Sequence, residues 1–243
     1  MKSKFGILAA MTFAQDMVSS IIANVNPAII HAVGKYVALS KIFYYSALEN
    51  VEGDYLEFGV YAGSSLSHAI KCYNKSLMYC HPPQHSQELC RFFGFDSFEG
   101  FGELEDEDNH PFFIHSNFAT DIEKVRRRLK PRTKKFDVKL VKGFFCDSLK
   151  CGASAMGITA AKVVMIDSDT YVAAVDVFKF ITPIVQPGTI IVLDDELCYK
   201  ASKNLGETRA FNDWLNETGI TVSKWFTYGD GAFVYVVSSV PNK

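Results

Sequence analysis

Short apolar runs alternate with longer segments of helical periodicity along most of this chain. DYLEFGV (54–60), CRFFGFDSF (90–98), FDVKLVKGFF (136–145), AKVVMIDSD (161–169), TIIVLDDE (189–196) and GAFVYVVSS (231–239) predict strands. Between them, SSLSHAIKCYNKS (64–76), ATDIEKVRRRL (119–129), VAAVDVFKFITPIV (172–185) and GETRAFNDWLNETG (206–219) predict helices. The second of these opens on Thr120 as N-cap, with Glu123 completing a capping box. Pro187 and Gly188 stop the third, and Gly219 can end the last. The apolar body of 161–169 predicts burial on both faces. Strands alternating with helices imply right-handed crossovers and an α/β fold, a doubly wound and mostly parallel sheet.

The first fifty residues differ. MVSSIIANVNPAIIHAVGKYVAL (17–39) repeats at helical spacing but is interrupted by Asn24, Asn26, Pro27, His31 and Lys35. That pattern predicts helices packed on a core or a partner subunit, with no membrane span. The opening MKSKFGILAAMTFAQ has the lysines, short apolar run and small residue (Ala14) of a cleavable leader, but its flanks are weak and the apolar pattern runs on. The sequons at Asn74 and Asn216 matter only if that leader is real.

Composition narrows the class. With 243 residues, 48% of them apolar, one domain of this length buries a sizeable core without disulfide staples. A net charge of −2 argues against a nucleic-acid partner. The basic run KVRRRLKPRTKK (124–135) reads as a solvated helix end and loop. Cysteines at 72, 80, 90, 146, 151 and 198 form no Cys-x-x-Cys pair, and no histidines stand at zinc-ligand spacing. Reduced thiols in a cytoplasmic setting account for them.

Acids recur where the predicted strands end: Glu57, Asp96, Asp167, Asp194 and Asp195. Asp is common there as a turn former. In an open parallel sheet, however, the carboxyl ends of the strands form the ligand crevice, and five acids after hydrophobic runs aim at one edge. Crowding Asp167, Asp194 and Asp195 would raise their pKa values unless a cation intervenes. Hard oxygen donors suit Mg²⁺, Mn²⁺ or Ca²⁺ better than zinc.

Gly59 and Gly63 flank a turn after the first strand, but Tyr61 occupies the middle position of the dinucleotide fingerprint. The phosphate-loop motif is absent too, and no lysine or arginine stands in the turn to meet a phosphate. A ligand carrying an amine, ribose hydroxyls or a positive charge fits better; S-adenosylmethionine carries all three. Asp96 is placed to take two ribose hydroxyls.

With those residues in hand, the chain resembles class I S-adenosylmethionine-dependent methyltransferases, and more narrowly the TylF-like sugar O-methyltransferases. The motifs that carry the resemblance are LEFGVYAGSSL (56–66), GFDSFEGF (94–101), KGFFCDSL (142–149), MIDSDTY (165–171), PGTIIVLDDE (187–196) and GETRAFNDWL (206–215), over roughly residues 36–238. The resemblance implies a Rossmann-like methyltransferase domain over 51–243 behind an N-terminal helical extension over 1–50. It implies that Glu57, Gly59, Tyr61, Gly63, Ser64 and Ser65 surround the methionine part of the cofactor. Asp96 and Ser97 would serve the ribose, and Gly143, Phe144 and Phe145 would border the adenine. Asp167, Asp194 and Asp195 would hold Mg²⁺ against a sugar or glycoside acceptor, with Asp167 also the general base. The apolar N-terminal helices suggest a homo-oligomer.

One departure bears on the acceptor. Catechol-type relatives carry a lysine base three residues after the metal-binding acid, where this chain has Thr170, so a phenol acceptor is less favoured. The acidic, aromatic stretch 101–117 is either a substrate lid or a solvated loop, and His110 and His115 within it are alternative bases. A non-catalytic binding module and a dinucleotide oxidoreductase are the rival readings. The retained acids weigh against the first, and the missing middle glycine against the second.

Overall fold

The computed structural model describes residues 2–79, 89–102, 104, 108–111, 113 and 118–241. His115, Cys80 and much of the stretch 101–117 lie outside the described residues. Two helices, α1 (Lys2–Ala23) and α2 (Pro27–Leu48), lead into β1 (Asp54–Phe58), α3 (Ser64–Ser76), β2 (Phe92–Asp96), α4 (Ile122–Thr133) and β3 (Val138–Lys142). The single turns α5 (Phe145–Ser148) and α6 (Gly152–Ala155) precede β4 (Ala161–Ile166), α7 (Tyr171–Ile181) and β5 (Ile190–Leu193). A further single turn, α8 (Cys198–Ala201), then α9 (Gly206–Thr218), β6 (Thr221–Tyr228) and β7 (Ala232–Ser239) complete the order.

Among the described residues, seven strands form one sheet in the order β3-β2-β1-β4-β5-β7-β6. β3 to β5 run parallel, and β7 pairs antiparallel with both β5 and β6. Every residue of β1 is buried, because helices cover both faces of the sheet. Its side chains still alternate. Leu56 and Phe58 join the core under α7 and α9, while Tyr55 joins the core under α2, α3 and α4.

β6 is the strand that the sequence pattern does not predict. It is an edge strand with mostly exposed side chains, and its register shifts at Thr221/Val222 and Lys224/Phe226. Each bulge offsets the two-residue alternation by which a strand is recognised. A second correction concerns α4: Asp121, not Thr120, is its N-cap, its carboxylate accepting from the Glu123 amide at 2.9 Å. The Thr120 amide is already committed to the Phe98 carbonyl at 3.2 Å, so the helix starts later and runs to Thr133. α7 likewise ends at Ile181, ahead of Pro187.

α2 is no loose appendage. Ala38, Leu39, Ile42 and Phe43 are buried in the core shared with α3. By contrast, Met11, Phe13, Met17 and Ile21 of α1 are exposed. No single helix among the described residues is long and apolar enough to cross a membrane. Cys72 and Cys90 are buried free thiols, and burial raises the pKa of both.

Candidate active site

The parallel ladder continues past the strand ends and sets the acids side by side. The Asp167 amide bonds the Phe58 carbonyl at 2.8 Å, and the Asp194 amide bonds the Ile166 carbonyl at 2.9 Å. Asp167, Asp194 and Asp195 thereby each place a carboxylate oxygen within 4.8 Å of the others. Gly59 turns the chain away just above them, at φ +93°; a Cβ there would lie 1.8 Å from the Asp167 carbonyl oxygen. Only glycine fits that approach.

Asp96 is the splint of the glycine turn. Its Oδ2 accepts from the Val60 and Tyr61 amides at 2.8 and 2.7 Å, and its Oδ1 from Phe98 at 2.6 Å. A carboxylate offers about four acceptor positions. Three are engaged, so most of its acceptor capacity goes to the turn itself.

A cavity of about 890 Å³ opens at this edge of the sheet. It is lined by Gly59, Tyr61, Ser64, Ser65, Asp96, Ser97, Phe144 and Phe145 on one side and by Asp167, Asp194 and Asp195 on the other. Glu57, Gly63 and Gly143 do not reach its wall. Gly63 is the left-handed residue from which α3 starts, at φ +71°. Glu57 is fully buried beneath the turn, accepting from Tyr55 Oη at 2.5 Å and from Ser65 Oγ at 2.7 Å. It meets the cavity only through Ser65.

Burial pushes Glu57 up from 4.5 to about 7, against the Tyr55 and Ser65 hydrogen bonds that pull it down. Between those two values the unfolded chain sheds this proton while the folded chain keeps it. Folding stability therefore falls as pH rises across that window and levels off above it. Glu57→Gln, which cannot ionise, is expected to flatten this part of the stability curve in urea titrations at pH 5, 6, 7 and 8. An unchanged slope in the variant would remove Glu57 as its source.

The three strand-end acids differ electrostatically. Asp167 rises to about 8 through burial and the Asp194 and Asp195 charges, although Lys35 pulls it down. Asp194 is held below the ordinary carboxylate range: burial opposes this, but Lys35 and His31 outweigh it. Asp195 is raised by burial and by Asp194.

His31 and Lys35, which in the sequence only interrupt an apolar helix, join Tyr228 and Glu207 at this edge of the sheet. Lys35 Nζ stands 2.8 Å from Asp167 Oδ2 and 2.6 Å from Asp194 Oδ2, and His31 Nε2 lies 3.2 Å from the same Asp194 oxygen. Tyr228 Oη donates to Asp194 Oδ1. Glu207 Oε1 accepts from the Ser168 and Asp169 amides at 2.6 and 3.1 Å, fixing the loop after β4. The available signal was the four-residue spacing of His31 and Lys35 on an otherwise apolar helix, which places both on one face.

Part of the 101–117 stretch reaches the cavity. Phe101, Gly102, Leu104 and Asp108 line it, and Asp108 is anchored by the Tyr171 and Val172 amides at 2.6 and 3.2 Å. Tyr61, Phe118 and Phe101 stack edge to face, with centroids 5.5 and 5.7 Å apart. Thr170 caps α7, accepting from the Ala173 amide at 3.4 Å. His110 packs against Phe113 and Tyr199 and is not on the cavity wall.

A sheet of this order, with a glycine turn after β1, an acid after β2 and a cavity across the strand ends, defines a class I methyltransferase. The family model of macrocin O-methyltransferase (TylF) matches residues 36–225, and the chain belongs to that family. It is an S-adenosylmethionine-dependent O-methyltransferase. Among solved structures, it is similar to the O-methyltransferase NovP at 19% identity and TM-score 0.68, covering 85% of this chain and 80% of NovP. It is similar to CalS11, the calicheamicin methyltransferase, at 21% identity and TM-score 0.69, covering 90% and 85%. At those identities the likeness is one of fold. No curated protein sequence matches the chain.

Proposed function

We propose that this enzyme methylates a hydroxyl of a sugar or glycosylated small molecule, with Asp167 as the general base and Asp167, Asp194 and Asp195 as donors for Mg²⁺. The observation that carries this reading is that one cavity is bordered by both the glycine turn and the acid trio. Donor and acceptor halves therefore share one space. CalS11 is a TDP-rhamnose 3′-O-methyltransferase, which supports a sugar as the acceptor. The walls argue for a neutral glycoside over a nucleotide-linked one. The described lining carries eight aspartates against Lys35 and His31, so the side chains themselves disfavour a diphosphate.

The chain's own groups divide the work. Ser64 and Ser65 open α3, whose N-terminal amides and dipole suit the carboxylate of the methionine moiety. Asp96 holds the turn and offers its remaining acceptor position to the ribose. Phe144, about one-third exposed on the wall, offers a face to the adenine. Asp167 takes the hydroxyl proton as the oxygen bonds to the methyl carbon. The carbon–sulfur bond breaks with its electron pair returning to sulfur. The three carboxylates fit a hard divalent cation in donor type and spacing, and such an ion supplies Lewis acidity toward the acceptor hydroxyls. The exposed Phe13, Met17 and Ile21 of α1 support self-association through that helix.

S-adenosylhomocysteine at about a hundred times its Kd is expected to raise Tm by roughly 5–10 °C, from about 2.7 kcal/mol of linkage. NAD⁺ at the same concentration should leave Tm unchanged. The absence of a shift at millimolar S-adenosylhomocysteine would rule out this reading.

A further inference from the structure

α2 is seated unusually close to the sheet edge. A Cβ on Gly34 would lie 3.0 Å from the Gly229 amide, and one on Gly229 would lie 2.3 Å from His31 Nδ1. Gly229 itself sits at φ +55°, in the turn between β6 and β7. Two glycines thus let the helix backbone and the turn meet. One helical turn on from His31, Lys35 extends into the cavity with only 12% of its side chain exposed. Its neighbour Tyr36 is stacked on His68 at 4.0 Å, and the next turns, through Leu39 and Ile42, are buried. The helix is anchored on either side of the lysine, so Lys35 reaches the acids from a fixed base.

The ammonium bridges one oxygen of Asp167 and one of Asp194, at 2.8 and 2.6 Å. Those two residues are also two of the three donors assigned above to a divalent ion. The ammonium already occupies one oxygen of each acid, so a divalent ion drawing on Asp167 and Asp194 meets fewer free donor positions there, and two cations so close repel strongly in a partly buried site. We propose that Lys35 is a resident counter-cation that competes with the divalent metal for Asp167 and Asp194, so that metal loading requires the lysine side chain to withdraw. This rests on the reading of the acid trio as metal donors. In metal-free protein, Lys35 neutralises the crowded acids; with metal bound, it is released toward the cavity it already lines.

The test uses Mn²⁺ as probe on the full-length chain, with free ion followed by electron paramagnetic resonance. Lys35→Met is expected to bind Mn²⁺ about tenfold or more tightly than wild type. Its Tm should fall without metal and recover with it, by a larger margin than wild type gains. Lys35→Gln, which keeps a donor amide without the charge, should shift affinity in the same direction and serves if the methionine variant does not fold. Lys41→Met removes an exposed charge from the same helix and should leave Mn²⁺ affinity unchanged. Equal Mn²⁺ affinity in wild type and both Lys35 variants would overturn the competition while sparing the metal site. No binding in any of them would overturn the metal assignment, and the competition with it.

Discussion

Asp167→Asn is expected to lower kcat for methyl transfer by about 10³-fold, within the range typical of losing a general base. Asparagine keeps the shape and a hydrogen-bonding oxygen, but it cannot accept the hydroxyl proton. In the proposed assignment the cofactor lies against the ends of β1 and β2 and the start of α3, so S-adenosylhomocysteine should still raise Tm in the variant. Fold should persist as well. Burial and two acidic neighbours work against the Asp167 charge, and asparagine relieves that cost while forfeiting part of the Lys35 pairing. The measurement is steady-state release of S-adenosylhomocysteine with a glycoside panel, alongside the Tm shift. Near-wild-type turnover would transfer the role of base to another group. Loss of both turnover and cofactor shift would mean that Asp167 holds the fold of the site instead.

Asp194→Ala should be the most destabilising of the acid substitutions, by about 3–5 kcal/mol, as when one partner of a buried ion pair is removed. For a chain of this length that is a fall in Tm of roughly 6–20 °C. Asp194 is 7% exposed and is engaged by Lys35, His31 and the Tyr228 hydroxyl at once. Losing it leaves an ammonium and an imidazole short of a counter-charge in a partly buried site. Its neighbour is the control. Asp195 pairs with no cation among the described residues, and burial and Asp194 both raise its pKa. Asp195→Ala should therefore lie within about 1 kcal/mol of wild type, like other substitutions that relieve as much as they remove. Equal losses at the two positions would contradict the division drawn between them.

Asp194 and Asp195 are adjacent and chemically identical in sequence, and nothing local distinguishes them. The distinction comes from α2 and from the β6–β7 turn, which bring His31, Lys35 and Tyr228 to one acid and not the other. Sequence separations of 163 and 34 residues carry no periodic trace of those contacts. Asp96 makes a similar point. Its place at the end of β2 was legible as a ligand-facing acid, yet three backbone amides claim most of its acceptor capacity.

What the sequence alone determined was the α/β class, the glycine turn, the acids at the strand ends and the family motifs. Each rests on local chemistry: apolar periodicity, the conformational freedom of glycine, and acids following hydrophobic runs. The tertiary structure decided the rest. It supplied the bulged edge strand β6, whose register shifts hide its alternation, and it buried Glu57 beneath the wall it was expected to line. It also brought a lysine from an apolar helix onto two aspartates, because the close approach at Gly34 and Gly229 and the burial of Leu39, Ile42 and Phe43 together fix where α2 lies.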